Sequence, residues 1–363
     1  MGAVSRAHQR VDVHRVPCGG PADLSGVQAL VDAGMLRPED IVAVMGKTEG
    51  NGCVNDFTRE YASNAWCAWL AARLGISPDE AAQRVALVMS GGTEGVLAPH
   101  FTVFTRCAAA PATGLGPRLV IGRARTRDFH PDEIGRRAQI DATAQAVHEA
   151  MADAGIAHAD DVHFVQVKCP LLSSSALSRA ANPVTHDTYD SMGWSRGASA
   201  LGVAVALGEV SQAEATDAAV LRRWDLHARR ASASAGIELD ANVVIVLGQA
   251  EGSASPFRIG HTVMRDAIDG QGVVELLHAM GATPDTLVNL LAKAEASPDG
   301  LVRGQRHTML QDSDLHATRH ARAAVGAVLA SLAGHTALYV SGGAEHQGPA
   351  GGGPVAAIVR AAP

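Results

Sequence analysis

The chain has 363 residues, a formal net charge of −7, 47% hydrophobic and 18% charged residues. That composition is expected of a soluble globular protein with room for two or three domains, and it excludes a disordered chain. The mild acidity argues against nucleic acid, no apolar run nears the ~20 residues that span a bilayer, and Met1–Val16 lacks a signal-peptide stretch, so a cytoplasmic protein is expected.

The first predicted strand lies near 11–16, with a helix near 23–34. Ile41-Val-Ala-Val-Met-Gly-Lys47 follows as a buried strand rich in β-branched residues. Thr58-Arg59 opens a helix expected over 58–74, and a short strand then ends at Ser90-Gly-Gly-Thr-Glu94. Phe101–Phe104 is the next strand, and Ala108 to Pro117, rich in Ala, Pro and Gly, reads as a linker.

The same order then returns. A strand near 118–125 and a helix near 143–154 precede Val162-His-Phe-Val-Gln-Val-Lys168. Ser195-Arg196 opens a helix over 195–209, and Ser234-Ala-Gly-Ile-Glu238 leads to the strand Val243–Leu247. In the third round a strand near 257–264 and a helix near 272–281 precede Leu287-Val-Asn-Leu-Leu-Ala-Lys293, a run ambiguous between strand and helix. Thr318-Arg319 opens a helix over 318–333, and Ser341-Gly-Gly-Ala-Glu345 leads to the strand Val355–Val359. In each copy the hydroxyl residue before the arginine can cap its helix. The prediction is an α/β fold of three structurally similar repeats, spanning 1–108, 116–254 and 255–363. Gln249-Ala-Glu-Gly-Ser-Ala-Ser255, between the second and third copies, has no chemical reading.

The lysines mark the chemistry. Arginine supplies 27 of the 30 basic residues, and the three lysines are Lys47, Lys168 and Lys293, one at the end of a strand in each copy. A desolvated lysine can lose its proton and act as a base, which arginine cannot. If the copies pack around one axis, the three lysines and their arginines converge on one pocket and depress each other's proton affinity. Each lysine can then take the proton of a serine, making Ser90, Ser234 or Ser341 a nucleophile. The Gly or Ala after each serine lets backbone N–H groups approach a substrate oxygen. Such a pocket suits a planar ring of alternating carbonyls and N–H groups, opened by hydrolysis of a cyclic amide.

Charge spacing nominates one pair. Glu49 and Glu295 stand two residues after Lys47 and Lys293, on the same strand face, where a carboxylate would keep the amine charged. Lys168 is followed by Cys169-Pro170-Leu171, so Lys168 with Ser234 is the candidate dyad.

Three long motifs carry a resemblance. Gly46-Lys-Thr-Glu-Gly-Asn-Gly-Cys-Val-Asn-Asp56, Met192-Gly-Trp-Ser-Arg-Gly-Ala-Ser-Ala200 and Ser341-Gly-Gly-Ala-Glu-His-Gln-Gly-Pro-Ala-Gly-Gly-Gly-Pro354 resemble the cyanuric acid hydrolase/barbiturase family of ring-opening amidohydrolases, over nearly the whole chain. The resemblance implies three repeats about a pseudo-three-fold axis with the active site at its centre, a homotetramer, and the opening of the s-triazine cyanuric acid to carboxybiuret, which decarboxylates to biuret. It puts the catalytic pair on Lys168 and Ser234, and substrate binding on Arg59, Ser90, Gly91, Arg196, Ser234, Ala235, Arg319, Ser341 and Gly342. It implies no organic cofactor but a structural divalent cation, Mg²⁺ or Ca²⁺, held by Glu295 and by Ala344, Gln347, Gly348, Pro349 and Gly352. Oxygen donors of that kind suit either ion. If Glu295 serves the metal, it is less available to Lys293.

Several features have plainer readings. Glu94, Glu238 and Glu345 are expected to be structural partners of buried arginines or N–H groups. Cys169 and Cys53 read as packing residues, and the five cysteines fit a reducing compartment. His316 and His320, spaced i and i+4, permit a zinc pair but lack a third ligand. Gly114-Leu-Gly116 lacks the third glycine of a nucleotide loop. The alternatives are a barbiturase, which opens barbituric acid to ureidomalonate, and a non-catalytic protein that binds a small polar metabolite. A zinc amidohydrolase would need His-rich strand ends that the sequence lacks.

Overall fold

A computed structural model describes residues 8–114 and 116–361. Leu115 of the Gly114-Leu-Gly116 segment, residues 1–7 of the N-terminal stretch and the last two residues lie outside them.

Each copy builds its own four-stranded sheet. The first holds β1 (Gln9–Pro17), β2 (Ile41–Thr48), β3 (Ala86–Gly91) and β4 (His100–Ala108), with helices α1 (Ser25–Asp32), α2 (Phe57–Leu74) and α3 (Pro78–Arg84). The second holds β5 (Arg118–Arg125), β6 (Val162–Pro170), β7 (Ala231–Gly236) and β8 (Val243–Ala250), with α4 (Arg137–Ala154), the single turn α5 (Ser174–Leu177) and α6 (Asp190–Ala206). The third holds β9 (Phe257–Met264), β10 (Leu287–Ala294), β13 (Tyr339–Gly342) and β14 (Gly353–Arg360), with α7 (Gly270–Ala279) and α8 (Ala317–Ala333). A small hairpin, β11 (Leu301–Val302) with β12 (Gln305–Arg306), precedes α8.

The strand orders are β1-β4-β2-β3, β5-β8-β6-β7 and β9-β14-β10-β13, one topology three times. The lysine strand is antiparallel to the last strand of its copy and parallel to the serine strand. A parallel pair needs a long crossover, which α2, α6 and α8 supply. The likeness extends to a register shift at the same place in each lysine strand: Ile41/Ala43, Val162/Phe164 and Leu287/Asn289. The ambiguous run is therefore a strand, held between two neighbours.

Both faces of the sheets are covered, which is why the lysine strands are mostly apolar, broken only by His163, Gln166 and Asn289 before their lysines. Val11, Met45, Phe104, Leu119, Phe164, Leu247, Phe257, Leu291 and Ile358 meet in one inner core drawn from all three sheets. The helices close a separate outer core over each sheet. The segment before β9 ties the copies together, since Ser253 Oγ donates to Leu119 O at 2.9 Å and Ser255 Oγ to Val11 O at 2.7 Å.

The expected caps are corrected. Thr58 is not the cap of α2; Asp56 is, its carboxylate accepting from Thr58 N at 3.0 Å. Thr318 gives way to His316, whose ring accepts from Thr318 N at 3.2 Å. Ser195 lies inside α6, which starts at Asp190, and receives a hydrogen bond from Gln139 Nε2 at 2.8 Å.

Candidate active site

Strand register makes the pairs. Lys47 lies opposite Ser90, Lys168 opposite Ser234, and Lys293 opposite Ser341, each on adjacent parallel strands. All three lysines are buried, as are all three serines. Lys47 Nζ is 3.2 Å from Ser90 Oγ, and Lys293 Nζ is 3.2 Å from Ser341 Oγ. Ser90 and Ser341 approach to 3.4 Å, so the copies meet at their serines.

Lys168 behaves differently. It donates to Met89 O at 2.8 Å and Ala235 O at 3.3 Å, and its Nζ is 3.2 Å from Glu238 Oε1. Among the described residues no hydrogen bond joins it to Ser234, whose Oγ is reached instead by Gln166 Nε2 at 3.4 Å. Lys168 is nevertheless the lysine that lines the central cleft, together with Ser90, Ser234, Ser341 and their Gly91, Ala235 and Gly342 neighbours. Gly91 and Gly342 have no room for a side chain: a methyl on the first would strike Asp56, and on the second Thr318 and Arg322.

Charge spacing does not set Lys168 apart in the fold. Glu49 is exposed, and the lysine read as lacking an acid is the one in contact with a carboxylate, because the turn after Ser234 folds Glu238 back. Burial lowers the proton affinity of Lys47 far below its ordinary value, with help from Arg322. Burial and Arg196 bring Lys293 down to about 7. Lys168 is also lowered by burial, with Glu238 opposing and Arg59 assisting.

Three arginines rim the cleft: Arg59, Arg196 and Arg322. Arg319 is displaced from the expected set, for Arg322, one turn further along α8, is the one that lines the cleft. Each arginine faces a glutamate of another copy. Arg196 binds Glu345 at 2.8 and 2.6 Å, and Arg322 binds Glu94 at 2.7 and 2.5 Å. Arg59 lies 3.5 Å from Glu238 and 3.5 Å from Asp56, with its Nε and Nη2 unpartnered. Sequence reasoning missed Arg322 and Met192, which also lines the cleft. The glutamate partners themselves are the ones expected of Glu94 and Glu345.

The residues named for a metal gather around the last loop. Glu295, Ala344 and Gly348 line a cavity of about 710 Å³ beside Glu345. Burial and the charge of Glu345 raise the proton affinity of Glu295, whose carboxylate accepts a hydrogen bond from Ala296 N. Gln347 spends its side chain elsewhere: Oε1 accepts from Ala233 N at 2.6 Å, and Nε2 donates to Gly343 O and Glu345 O. Its main-chain carbonyl is what it could offer an ion. Pro349 O accepts from Gly352 N at 2.9 Å, which folds the loop. A half-buried carboxylate beside a second one, in a carbonyl-rich loop, fits a hard divalent cation. The zinc pair does not form a site: His316 caps α8, His320 contacts Asp312 at 3.1 Å, and no cluster of three metal-ligating side chains occurs among the described residues. Cys169 packs in the outer core of the second copy, and burial raises its thiol.

The family described as "Amidohydrolase ring-opening protein" matches residues 12–360. A cyanuric acid amidohydrolase of Pseudomonas sp. (strain ADP) is 59% identical over 360 residues, covering 97% of this chain and 99% of the relative. One from Bradyrhizobium diazoefficiens is 60% identical, covering 96% and 98%. A solved cyanuric acid hydrolase, described as evolutionary innovation by structural concatenation, superposes with a TM-score of 0.95 at 58% identity, covering 98% and 100%. A second, from A. caulinodans, gives 0.90 at 50% identity, covering 97% and 99%. With three repeats of one topology meeting at a Lys/Ser/Arg cleft, and a match across nearly its full length, this chain belongs to the ring-opening amidohydrolase family.

Proposed function

We propose that this protein is a cyanuric acid amidohydrolase, with Ser234 as nucleophile and Lys168 as its base. One observation carries the reading: three serine turns and three buried-edge arginines face a single cleft in three-fold arrangement. Cyanuric acid is a ring of three carbonyls alternating with three N–H groups, so each copy can hold one carbonyl between a serine turn and an arginine. Neutral Lys168 takes the proton of Ser234 as the serine oxygen bonds to a ring carbon. Backbone N–H groups at the turn and Arg59 stabilise the charge on the carbonyl oxygen. The C–N bond breaks, and the lysine returns the proton to the departing ring nitrogen. Lys168 then takes a proton from water as water attacks the carbamoyl ester, and Ser234 recovers a proton on leaving. Carboxybiuret results and loses carbon dioxide to give biuret. Ser90, Ser341, Lys47 and Lys293 hold the other two carbonyls and their turns.

A second reading makes Lys47 and Ser90 the reacting pair, favoured by their 3.2 Å contact together with the strongly lowered proton affinity of Lys47. Lys168→Arg is expected to lower kcat by about 10²–10⁴-fold, the worth of a general base, while Lys47→Arg loses less. The reverse order would establish the second reading. The substrate is tested by incubating purified protein with cyanuric acid and barbituric acid separately and following products by mass spectrometry. Biuret from cyanuric acid is expected. Ureidomalonate alone would replace the substrate, and no turnover of either would leave a binding protein.

Glu295 and the carbonyls of Ala344, Gln347, Gly348, Pro349 and Gly352 would hold Mg²⁺ or Ca²⁺, which supplies charge neutralisation to the loop after Ser341. Metal analysis of the purified protein checks this. A homotetramer is the proposed assembly, checked by light scattering. The described residues contain no helix long and apolar enough to cross a membrane. The five cysteines are all free, which supports a cytoplasmic setting.

A further inference from the structure

The three-fold arrangement is broken at one glutamate. Glu94 and Glu345 each grip an arginine with both oxygens. Glu238 stands at the same place in its turn, but it divides itself between Arg59 at 3.5 Å and Lys168 at 3.2 Å. Two consequences are visible. Arg59, 1% exposed, keeps Nε and Nη2 free of hydrogen-bond partners. Lys168 is drawn off Ser234, while Lys47 and Lys293 remain on their serines.

Behind this contact lies a second cavity, of about 630 Å³, lined by Lys168 and Glu238 together. Lys168 thus borders both the cleft and this rear cavity. Arg59 from α2 faces the contact, and the charged groups that line the cavity are Glu60 from α2, Asp79 from α3, and Arg123 and Arg125 from β5. The thiol of Cys169 adjoins it on β6.

Ring opening yields carboxybiuret, a carbamic acid; leaving as its carbamate anion it deposits one proton in the cleft per turnover, and a proton is taken up again only in solution, when carbon dioxide is lost. Within the cleft the acceptor for that proton is the Lys168 amine. The lysine must shed it before it can again deprotonate Ser234. Glu94 and Glu345 have both oxygens committed to arginines.

We propose that Glu238 is a positioning residue that makes Lys168 and Ser234 the reacting pair, by accepting the spent proton of Lys168 and passing it to water in the rear cavity. The ammonium–carboxylate pair becomes an amine and a carboxylic acid, and the acid then protonates a cavity water, which carries the charge to solvent. The neutral amine, no longer held by a carboxylate, turns to Ser234. This inference rests on the amidohydrolase reading.

Three lysines make the test direct. Labelling lysine at Cε with ¹³C gives one NMR resonance per lysine, assigned with Lys47→Arg and Lys293→Arg. In Glu238→Gln the titration midpoint of Lys168 is expected to fall by about one pH unit, because a negative charge that favoured the ammonium is gone. The acid limb of kcat/KM should move to lower pH by the same amount, and kcat on its plateau should drop about tenfold as the proton exit closes. Glu94→Gln should raise KM and leave both midpoints in place. An unmoved Lys168 midpoint in Glu238→Gln overturns the proposal. A moved resonance with an unmoved limb also overturns it, because Lys168 is then not the base. The resonance does not depend on turnover, so wild-type protein that opens no ring would sink the amidohydrolase reading separately. If Glu238→Gln does not fold, Glu238→Asp is used, with a smaller shift in the same direction expected.

Discussion

Arg319 and Arg322 differ by one helical turn and by their whole role. Arg322 lies at the cleft with its fork on Glu94; Arg319 follows Thr318 in the dipeptide that marks the other copies. Arg322→Lys keeps the charge but cannot reproduce two parallel hydrogen bonds. It is expected to raise KM by about 10- to 100-fold, the cost of one charge-assisted hydrogen bond, while Arg319→Lys stays near wild type. Steady-state kinetics on the two variants decides which arginine serves the substrate. The dipeptide misled because it fixes sequence order only. The residue that reaches the axis depends on where its helix starts, and α2, α6 and α8 start at different distances from their arginines. The contact between Glu238 and Lys168 was equally hidden, since it joins residues far apart in the chain through a turn. The lysines themselves were legible, because burial is where lysine and arginine stop being interchangeable.

Among elements, strands were easier to read than helix ends. Val, Ile and Ala runs flanked on both faces by apolar cores leave a plain signature. The Leu287 run has a single β-branched residue, Val288, and only its pairing with β13 and β14 decides that it is a strand. The match of one lysine to one serine in each copy appears in the structure as cross-strand pairing, because parallel neighbours keep register along the strand. Helix starts were misassigned because a hydroxyl residue in the right place is a capable cap, while Asp56 supplies a stronger acceptor just before it. Asp56 also accepts from Gly52 N at 2.8 Å, fastening the loop that borders the cleft. Asp56→Ala is therefore expected to destabilise the fold by about 1 kcal/mol or more, measured as a lowered midpoint in urea. Thr58→Ala, which removes no cap, should cost less.

At the scale of the molecule, the three sheets share one inner core, and each arginine-bearing helix is fastened to a carboxylate of another copy. No copy can leave without exposing apolar surface and stranding buried charges, which is costly. The chain is expected to unfold in one cooperative step, with calorimetric and van't Hoff enthalpies in agreement, despite its three similar parts. The contacts run head to tail, first copy to second, second to third, third to first, so the circle closes with each cleft arginine facing a glutamate of the next copy. A ring of three separate, identical subunits would close in the same way, but any substitution in it would appear three times. Joined in one polypeptide, the copies are free to differ. That freedom is what permits Ala235 where the other turns need glycine, and a carboxylate that leaves its arginine for a lysine at one corner only. Symmetry builds the receptacle, and covalent linkage lets a single corner of it become different.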